Sequence, residues 1–260
     1  MSHPLRAIAR PYRRKRFATI AVVATAMVAL AACGSSSNAA PDISGGSELG
    51  AVLPTRIADL SLVNQDGKTI HLSDFKGKTI VIQDSMTLCQ EQCPIDTATF
   101  VGLARAYSQS ANAKNVVFLT VTVDPTRDDP AQLKAYRDQY SPGSGSLPQW
   151  QLITGSASDI AALWKYFHVY IQKVKSDDVV HNWRTGALLT YDINHGDEVF
   201  FIDGKLQQRY LLDGMPALGS AIPAEIKKFM SSQGMANMTG TMSNWTVADG
   251  LSVLDWVAKL

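Results

Sequence analysis

The chain has 260 residues, 46% of them hydrophobic and 18% charged, with 18 Gly and 11 Pro; this globular composition excludes collagen-like, low-complexity and wholly disordered chains. A formal charge of +1 excludes the strongly basic field of a nucleic-acid binder. Three cysteines are too few for a disulfide scaffold, and the length buries a core as one domain with extensions or as two small domains.

The charge is uneven. Residues 1–32 carry six basic residues (Arg6, Arg10, Arg13, Arg14, Lys15, Arg16) and no acid, leaving 18 basic and 23 acidic residues in the remainder. A basic head before the apolar run 18–32 reads as a secretory signal. The run is short for a helix crossing hydrocarbon, which needs about 20 residues; an uncleaved N-terminal anchor is the alternative. Leu30-Ala31-Ala32-Cys33, followed by Gly34, resembles a bacterial lipobox. In such signals the cysteine becomes the lipidated first residue of the mature protein. The expectation is a signal peptide over 1–32, lipidation at Cys33 and a flexible Gly/Ser/Ala-rich tether over 33–51. Acyl chains would then hold the protein on the extracytoplasmic face of the cell membrane, several together anchoring stably where one is marginal. A chance cysteine in an ordinary secretory signal is the competing reading.

The folded part is expected over 52–232, with a linker and tail helix over 233–260. Residues 58–75 read as a hairpin around the Asp66-Gly67 turn. Residues 79–82 are a β-branched run suited to a buried strand. Pro94 suits the first turn of a helix, on which Phe100, Leu103, Ala104 and Tyr107 repeat at helical spacing. Residues 115–123 are the clearest strand, closed by Asp124-Pro125. Asp129-Pro130 opens a second helix carrying Leu133, Tyr136 and Tyr140. A Gly/Ser/Pro loop precedes a strand at 150–153, and 156–167 read as a third helix. Residues 174–190 read as irregular, 198–202 and 206–212 as a hairpin about Asp203-Gly204, 222–230 as a helix, 233–243 as flexible and 247–260 as an amphipathic tail helix. Strands alternating with helices predict an α/β fold, a central mixed sheet flanked by helices. With a cysteine pair at a helix start, an N-terminal hairpin and a terminal hairpin and helix, the plan is thioredoxin-like.

With Cys33 assigned to lipid, the folded part keeps Cys89 and Cys93. On a helix, thiols at i and i+4 have Cβ atoms about 5–6 Å apart, wider than the roughly 3.5–4.5 Å a disulfide needs. A metal ion bridges such a gap, and a small loop adjustment before Pro94 would admit the disulfide, so both states stay open. A helix N-terminus favours thiolates, and two soft sulfurs select Cu(I) or Zn. A third ligand must come from His71, His168, His181 or His195, since His3 lies in the signal; spacing does not choose among them.

Three motifs in order, over about 130 residues from Val81 to Gln208, make the choice. Thr87-Leu88-Cys89-Gln90-Glu91-Gln92-Cys93-Pro94 is similar to a T-x-C-P-x-x-C-P segment. Val121-Thr122-Val123-Asp124-Pro125-Thr126-Arg127-Asp128 is similar to S-V-D-P-x-R-D, with Pro130, Leu133 and Tyr136 following. Asp192-Ile193-Asn194-His195, ahead of residues 199–204, is similar to V-D-H before a hydrophobic strand. Together they resemble the Sco/SenC family of copper-binding, thioredoxin-like proteins, which help assemble the dinuclear copper centre of cytochrome c oxidase. The resemblance implies copper, Cu(I) or Cu(II), as cofactor, with Cys89, Cys93 and His195 as its ligands. It implies the copper-binding subunit of the oxidase and an extracytoplasmic thiol reductant as partners. The chain departs from the family at Gln90, where Pro is usual, at Ser85-Met86, where a Gly and an aromatic are common, and in a longer segment over 176–189 that leaves His181 a competing ligand.

The leading function is therefore a membrane-anchored copper chaperone. A thiol–disulfide oxidoreductase, with Cys89 and Cys93 as catalytic thiols acting on the oxidase's copper-site cysteines, is the second reading. A peroxiredoxin-like enzyme would want a positive partner beside Thr87-x-Cys89, and none is evident in the motif. A module with a static disulfide is the remaining class. His168 is expected to be structural or solvated, Asp124 to cap a strand end or support the metal, and Met235, Met238 and Met242 to lie in a linker or offer thioethers to Cu(I). Trp245 and Trp256 are expected to pack on the domain.

Overall fold

The β-branched run over 79–82 becomes a central strand of the sheet. A computed structural model describes residues 39–142, 147, 149–240 and 242–260, with Asp177 by its backbone alone. The signal, Cys33, the first part of the tether and most of the Gly/Ser/Pro loop lie outside the described residues. In chain order the elements are β1 (Gly46–Glu48), α1 (Thr55–Ala58), β2 (Leu62–Asn64), β3 (Thr69–Ile70), β4 (Thr79–Ser85), α2 (Cys93–Tyr107), β5 (Val116–Thr122), α3 (Pro130–Tyr140), β6 (Trp150–Gly155) and α4 (Ala157–Phe167). They continue with β7 (Ile171–His181), β8 (Leu188–His195), β9 (Glu198–Ile202), β10 (Gln208–Asp213), α5 (Ala224–Phe229), α6 (Ser232–Asn237) and α7 (Val247–Val257).

Eight strands form one sheet in the order β1-β10-β9-β4-β5-β6-β2-β3. β4 runs parallel to β5 and antiparallel to β9. The strands β10-β9-β4-β5, with α2 crossing between the parallel pair, make the thioredoxin-like core. Alternation along each strand feeds two cores, one per face. Val81, Phe118 and Phe201 join Phe100, Tyr136 and Trp150 in one, while Ile80, Ile82, Leu119 and Phe200 join Leu163, Trp164 and Phe167 in the other. Both faces of β5 are filled, so all its residues are buried, the pattern of a strand covered by helices on both sides. Among the described residues no helix is long and apolar enough to cross a membrane.

Several elements differ from expectation. The expected hairpin over 58–75 is confined to β2 and β3. Residues before it form α1, and Leu72–Phe75 is a 3-10 turn closed by a capping box between His71 and Asp74. Within the expected tether, β1 pairs with β10, Gly46 opposite Leu212. Gly46 lets the strands close there, because a Cβ would stand 2.3 Å from the Tyr210 hydroxyl. Residues 174–190 are not irregular: β7 and β8 form a separate antiparallel pair, with a register break between Lys175 and Val180. The pair lies outside the main sheet and shows little apolar alternation; Val179 is 82% exposed. The expected flexible stretch 233–243 contains most of α6, capped by Ser231. The expected tail helix forms as α7 and packs against α2, with Val253, Leu254 and Trp256 buried.

Candidate metal centre

β4 ends at Ser85, and residues 86–92 lead to α2, whose first residue is Cys93. Pro94 takes the first turn, where its missing N–H costs nothing, and so fixes the helix start behind Cys89. The two thiols are therefore not neighbours on one helix: Cys89 lies in the loop ahead. That loop folds back until the Cys93 backbone N–H, one of the donors left unpaired at a helix start, donates to Cys89 Sγ at 3.4 Å. Both thiols are free; Cys93 is buried and Cys89 half-buried.

The two differ in acidity. A hydrogen bond from the Cys93 side chain holds the Cys89 thiol down at about 7; burial opposes this, and charge on His195 and the N–H groups of Glu91 and Cys93 assist it. Burial pushes the Cys93 thiol well above its usual range, and Cys89 beside it acts in the same direction. The expectation that the helix N-terminus favours both thiolates thus holds for Cys89 alone, because at Cys93 desolvation outweighs the dipole.

His195 is the last residue of β8, opposite Ile171. Its Nε2 lies 3.2 Å from Cys93 Sγ. Its Nδ1 faces two acceptors, Asp84 Oδ2 at 2.5 Å and the Gly196 carbonyl at 2.6 Å, so the ring proton is assigned to Nδ1. Asp84 projects from β4 and is fully enclosed; its other oxygen accepts from the Glu198 N–H at 2.9 Å. Burial pulls the imidazolium pKa down, but the hydrogen bond and charge of Asp84, helped by Cys89 and Asp197, raise it to about 10. Further acids gather behind the ring. Burial raises Asp96, Asp197 and Glu198, the last to about 8, and Asp96 accepts from the Gln92 side chain at 2.7 Å.

The cysteine loop is held from two sides. On one, Asp128 accepts from the Thr87 hydroxyl at 2.5 Å, the Thr87 N–H at 3.2 Å and the Thr122 hydroxyl at 2.5 Å. Gln132 donates to the same Thr87 hydroxyl at 3.0 Å, and the Trp183 indole donates to the Thr87 carbonyl at 3.0 Å. Trp183 sits in the turn between β7 and β8, so the hairpin that delivers His195 at one end also braces the loop at the other. On the second side, the Ser231 N–H donates to the Gln90 carbonyl at 2.9 Å, and the Gln90 side chain donates to the Phe229 carbonyl at 2.8 Å. Gly234 packs onto Gln90, where a Cβ would stand 2.2 Å from the carbonyl oxygen.

The fold thus brings Cys89, Cys93 and His195 together and leaves the other histidines apart. His181 is exposed at the opposite end of the hairpin, across from Leu188. His168 is an exposed helix cap at φ 62°. His71 contacts the Leu60 carbonyl at 3.0 Å. Asp124 pairs with Arg127 and accepts from the Tyr191 hydroxyl at 2.9 Å, while Asp128 supports the loop. Trp245 and Trp256 pack on the domain. The sequence reading missed Asp84, Gln132, Trp183 and Ser231. Asp84 had a signal, a carboxylate inside an apolar central strand, where an unpaired charge is costly. Among the described residues no three His, Cys, Asp or Glu side chains already close around one point as a metal cage; Nε2 of His195 is aimed at the Cys93 sulfur.

A family model, SCO1/SenC, matches residues 54–231. The SCO1 protein homolog of Bacillus subtilis is 30% identical over 140 residues, covering 53% of this chain and 70% of that protein. The SCO2-like protein of Rickettsia felis is 24% identical over 160 residues, covering 61% and 70% respectively. A solved structure from Aquifex aeolicus superposes with a TM-score of 0.50 at 21% identity, covering 64% of this chain and 85% of that one; it shares the fold.

Proposed function

The chain belongs to the SCO1/SenC family, and from that premise and the site's chemistry we propose that it is a copper chaperone using Cys89, Cys93 and His195 as ligands. The observation that carries the reading is the contact between Cys93 Sγ and His195 Nε2, at 3.2 Å, with Asp84 gripping the far side of the ring. The donor set fits the cargo. Thiolates suit Cu(I), and an imidazole helps accommodate Cu(II). A carboxylate behind the ring fixes its tautomer and raises its basicity as a ligand. The charge of Asp84 behind the ring favours a cation at the site. Binding requires Nε2 and the thiols to give up their protons. Half-exposed Cys89 offers the sulfur through which a partner could exchange ligands. We assign delivery to the dinuclear copper centre of cytochrome c oxidase, with that enzyme's copper subunit as partner. We also assign a lipid anchor at Cys33, the extracytoplasmic face of the cell membrane, and the order of signal, tether, binding domain and tail expected above. The test is a copper titration of reduced protein. One copper per chain is expected, together with a thiolate-to-metal charge-transfer band, and both should vanish in a Cys89→Ser, Cys93→Ser variant. Unchanged binding in that variant refutes the assignment.

The unequal thiols favour a second use of the same pair. Cys89, at about 7, is the attacking thiolate. It would bond to one sulfur of a target disulfide and expel the other as thiolate. Cys93 would lose its proton and attack Cys89, releasing the reduced target and closing a Cys89–Cys93 disulfide. An extracytoplasmic thiol reductant would return the two electrons. His195→Ala separates the uses: it should weaken copper binding and leave thiol exchange standing.

A further inference from the structure

Beside the cysteine loop lies a groove of about 320 Å³ between the start of α2 and the C-terminal segment. Gln92 and Ile95 form one wall. Met215 follows β10, and Met238 and Met242 follow α6 on the other side. Met215 is 37% exposed and Met242 81% exposed, while Met238 packs partly on the core. Of the methionines noted in the sequence, Met235 does not line the groove, and Met215 joins instead. Three methionines therefore line one groove that Gln92, the residue before Cys93, also lines, and the segment carrying two of them follows the Gln90–Ser231 clasp.

We propose that this groove is a second, weaker site for a soft monovalent cation, in which Met215, Met238 and Met242 hold Cu(I) next to the cysteine loop. Thioethers are soft and neutral, so they select Cu(I) over Mg, Ca or Zn, and flexible methionine side chains can close on an ion without a rigid cage. They bind without releasing a proton, whereas the cysteine pair must ionise. An ion would leave the groove by ligand exchange: a Met sulfur departs, the Cys89 thiolate bonds in its place, and copper remains Cu(I) throughout. The onward step rests on the copper reading above; the groove's own affinity does not.

The test removes every thiol. The full-length chain carrying Cys33→Ser, Cys89→Ser and Cys93→Ser is titrated with Ag(I), a redox-inert probe of the Cu(I) site. Equilibrium dialysis and NMR of the methionine methyl groups provide the readouts. One Ag(I) per chain is expected, shifting the methyls of Met215, Met238 and Met242 and leaving Met235 in place. Adding Met215→Leu, Met238→Leu and Met242→Leu should weaken retention at least tenfold. Met242→Leu alone, at an exposed position, should weaken it severalfold without risk to the fold. No Ag(I) retained by the thiol-free chain, or retention unchanged by these substitutions, overturns the proposal. Failure of reduced wild-type protein to load copper at its cysteines is a separate result that overturns the chaperone reading and leaves the groove as found.

Discussion

Replacing Asp84 by Asn tests whether one enclosed carboxylate sets the charge of His195. Burial alone would leave the ring below 6.5, yet Asp84 carries it to about 10. At 1.36 kcal/mol per pH unit, that rise corresponds to about 5 kcal/mol of preference for imidazolium over imidazole. Asn can still accept from Nδ1–H through its carbonyl, but the charge is gone and desolvation stands largely unopposed. Its amide NH₂ would then face the Glu198 N–H, donor against donor, costing about 1–3 kcal/mol of stability. In the reduced, metal-free wild type, NMR of the ring carbons should show His195 titrating near 10; in Asp84→Asn it should titrate at or below 6.5. Because the folded pKa is raised, its stabilisation is present in full below pH 6.5 and is lost as pH rises through about 10. The variant should lack that decline. Copper binding at pH 8 should also release about one proton fewer in the variant, since Nε2 is already free; calorimetry in buffers of different ionisation enthalpy reads this. A variant ring still titrating above about 9 refutes the reasoning, because its charge would then come from elsewhere.

At pH 7 iodoacetamide should label Cys89 with an apparent pKa of about 7, while Cys93 reacts only once the protein unfolds; peptide mass spectrometry showing Cys93 labelled first contradicts this. Burial raises Asp128 to about 6, so its contribution is complete below its unfolded value of 3.8 and fades as pH rises through 6, a change of about 3 kcal/mol. Urea midpoints of Asp128→Asn should lose that part of the pH dependence; an identical profile rules out the carboxyl as its source. Gly234→Ala places a methyl against the Gln90 carbonyl and should cost about 1–3 kcal/mol in denaturant melts. It should also change the rate of Cys89 alkylation, and if neither quantity moves, α6 does not brace the loop.

The parts of the fold legible in the sequence are those whose signal is local. Residues 79–82 and 115–123 announce buried strands by β-branched runs, Asp66-Gly67 marks its turn, and β9 falls where the apolar run 198–202 puts it. The β7–β8 pair was not legible because it has little alternation to read: of β8, only Leu189 and Ile193 are buried. At the site, Cys89 and Cys93 were visible by residue type alone, but His195 could be chosen among the histidines only by likeness to a known motif. Spacing cannot report that a residue 102 positions away closes on Cys93. The unequal acidity of the thiols was hidden for the same reason. It depends on the hydrogen bond between the two thiols, on the charge of His195 and on burial of Cys93, and these are set by strands and helices distant in the chain.

Gln90 ties these observations together. The family's usual proline at this position has no side-chain donor; Gln90 has one, and uses it to reach the Phe229 carbonyl while its own carbonyl accepts from Ser231. The departure from the motif is therefore matched by a partner in the C-terminal segment. With Trp183 holding Thr87 on the opposite flank, the loop is braced on either side of Cys89, which stays half-buried. A loop held this way keeps Cys93 buried against His195 and leaves Cys89 half-open, which is the division of labour that either ligand exchange or thiol exchange requires.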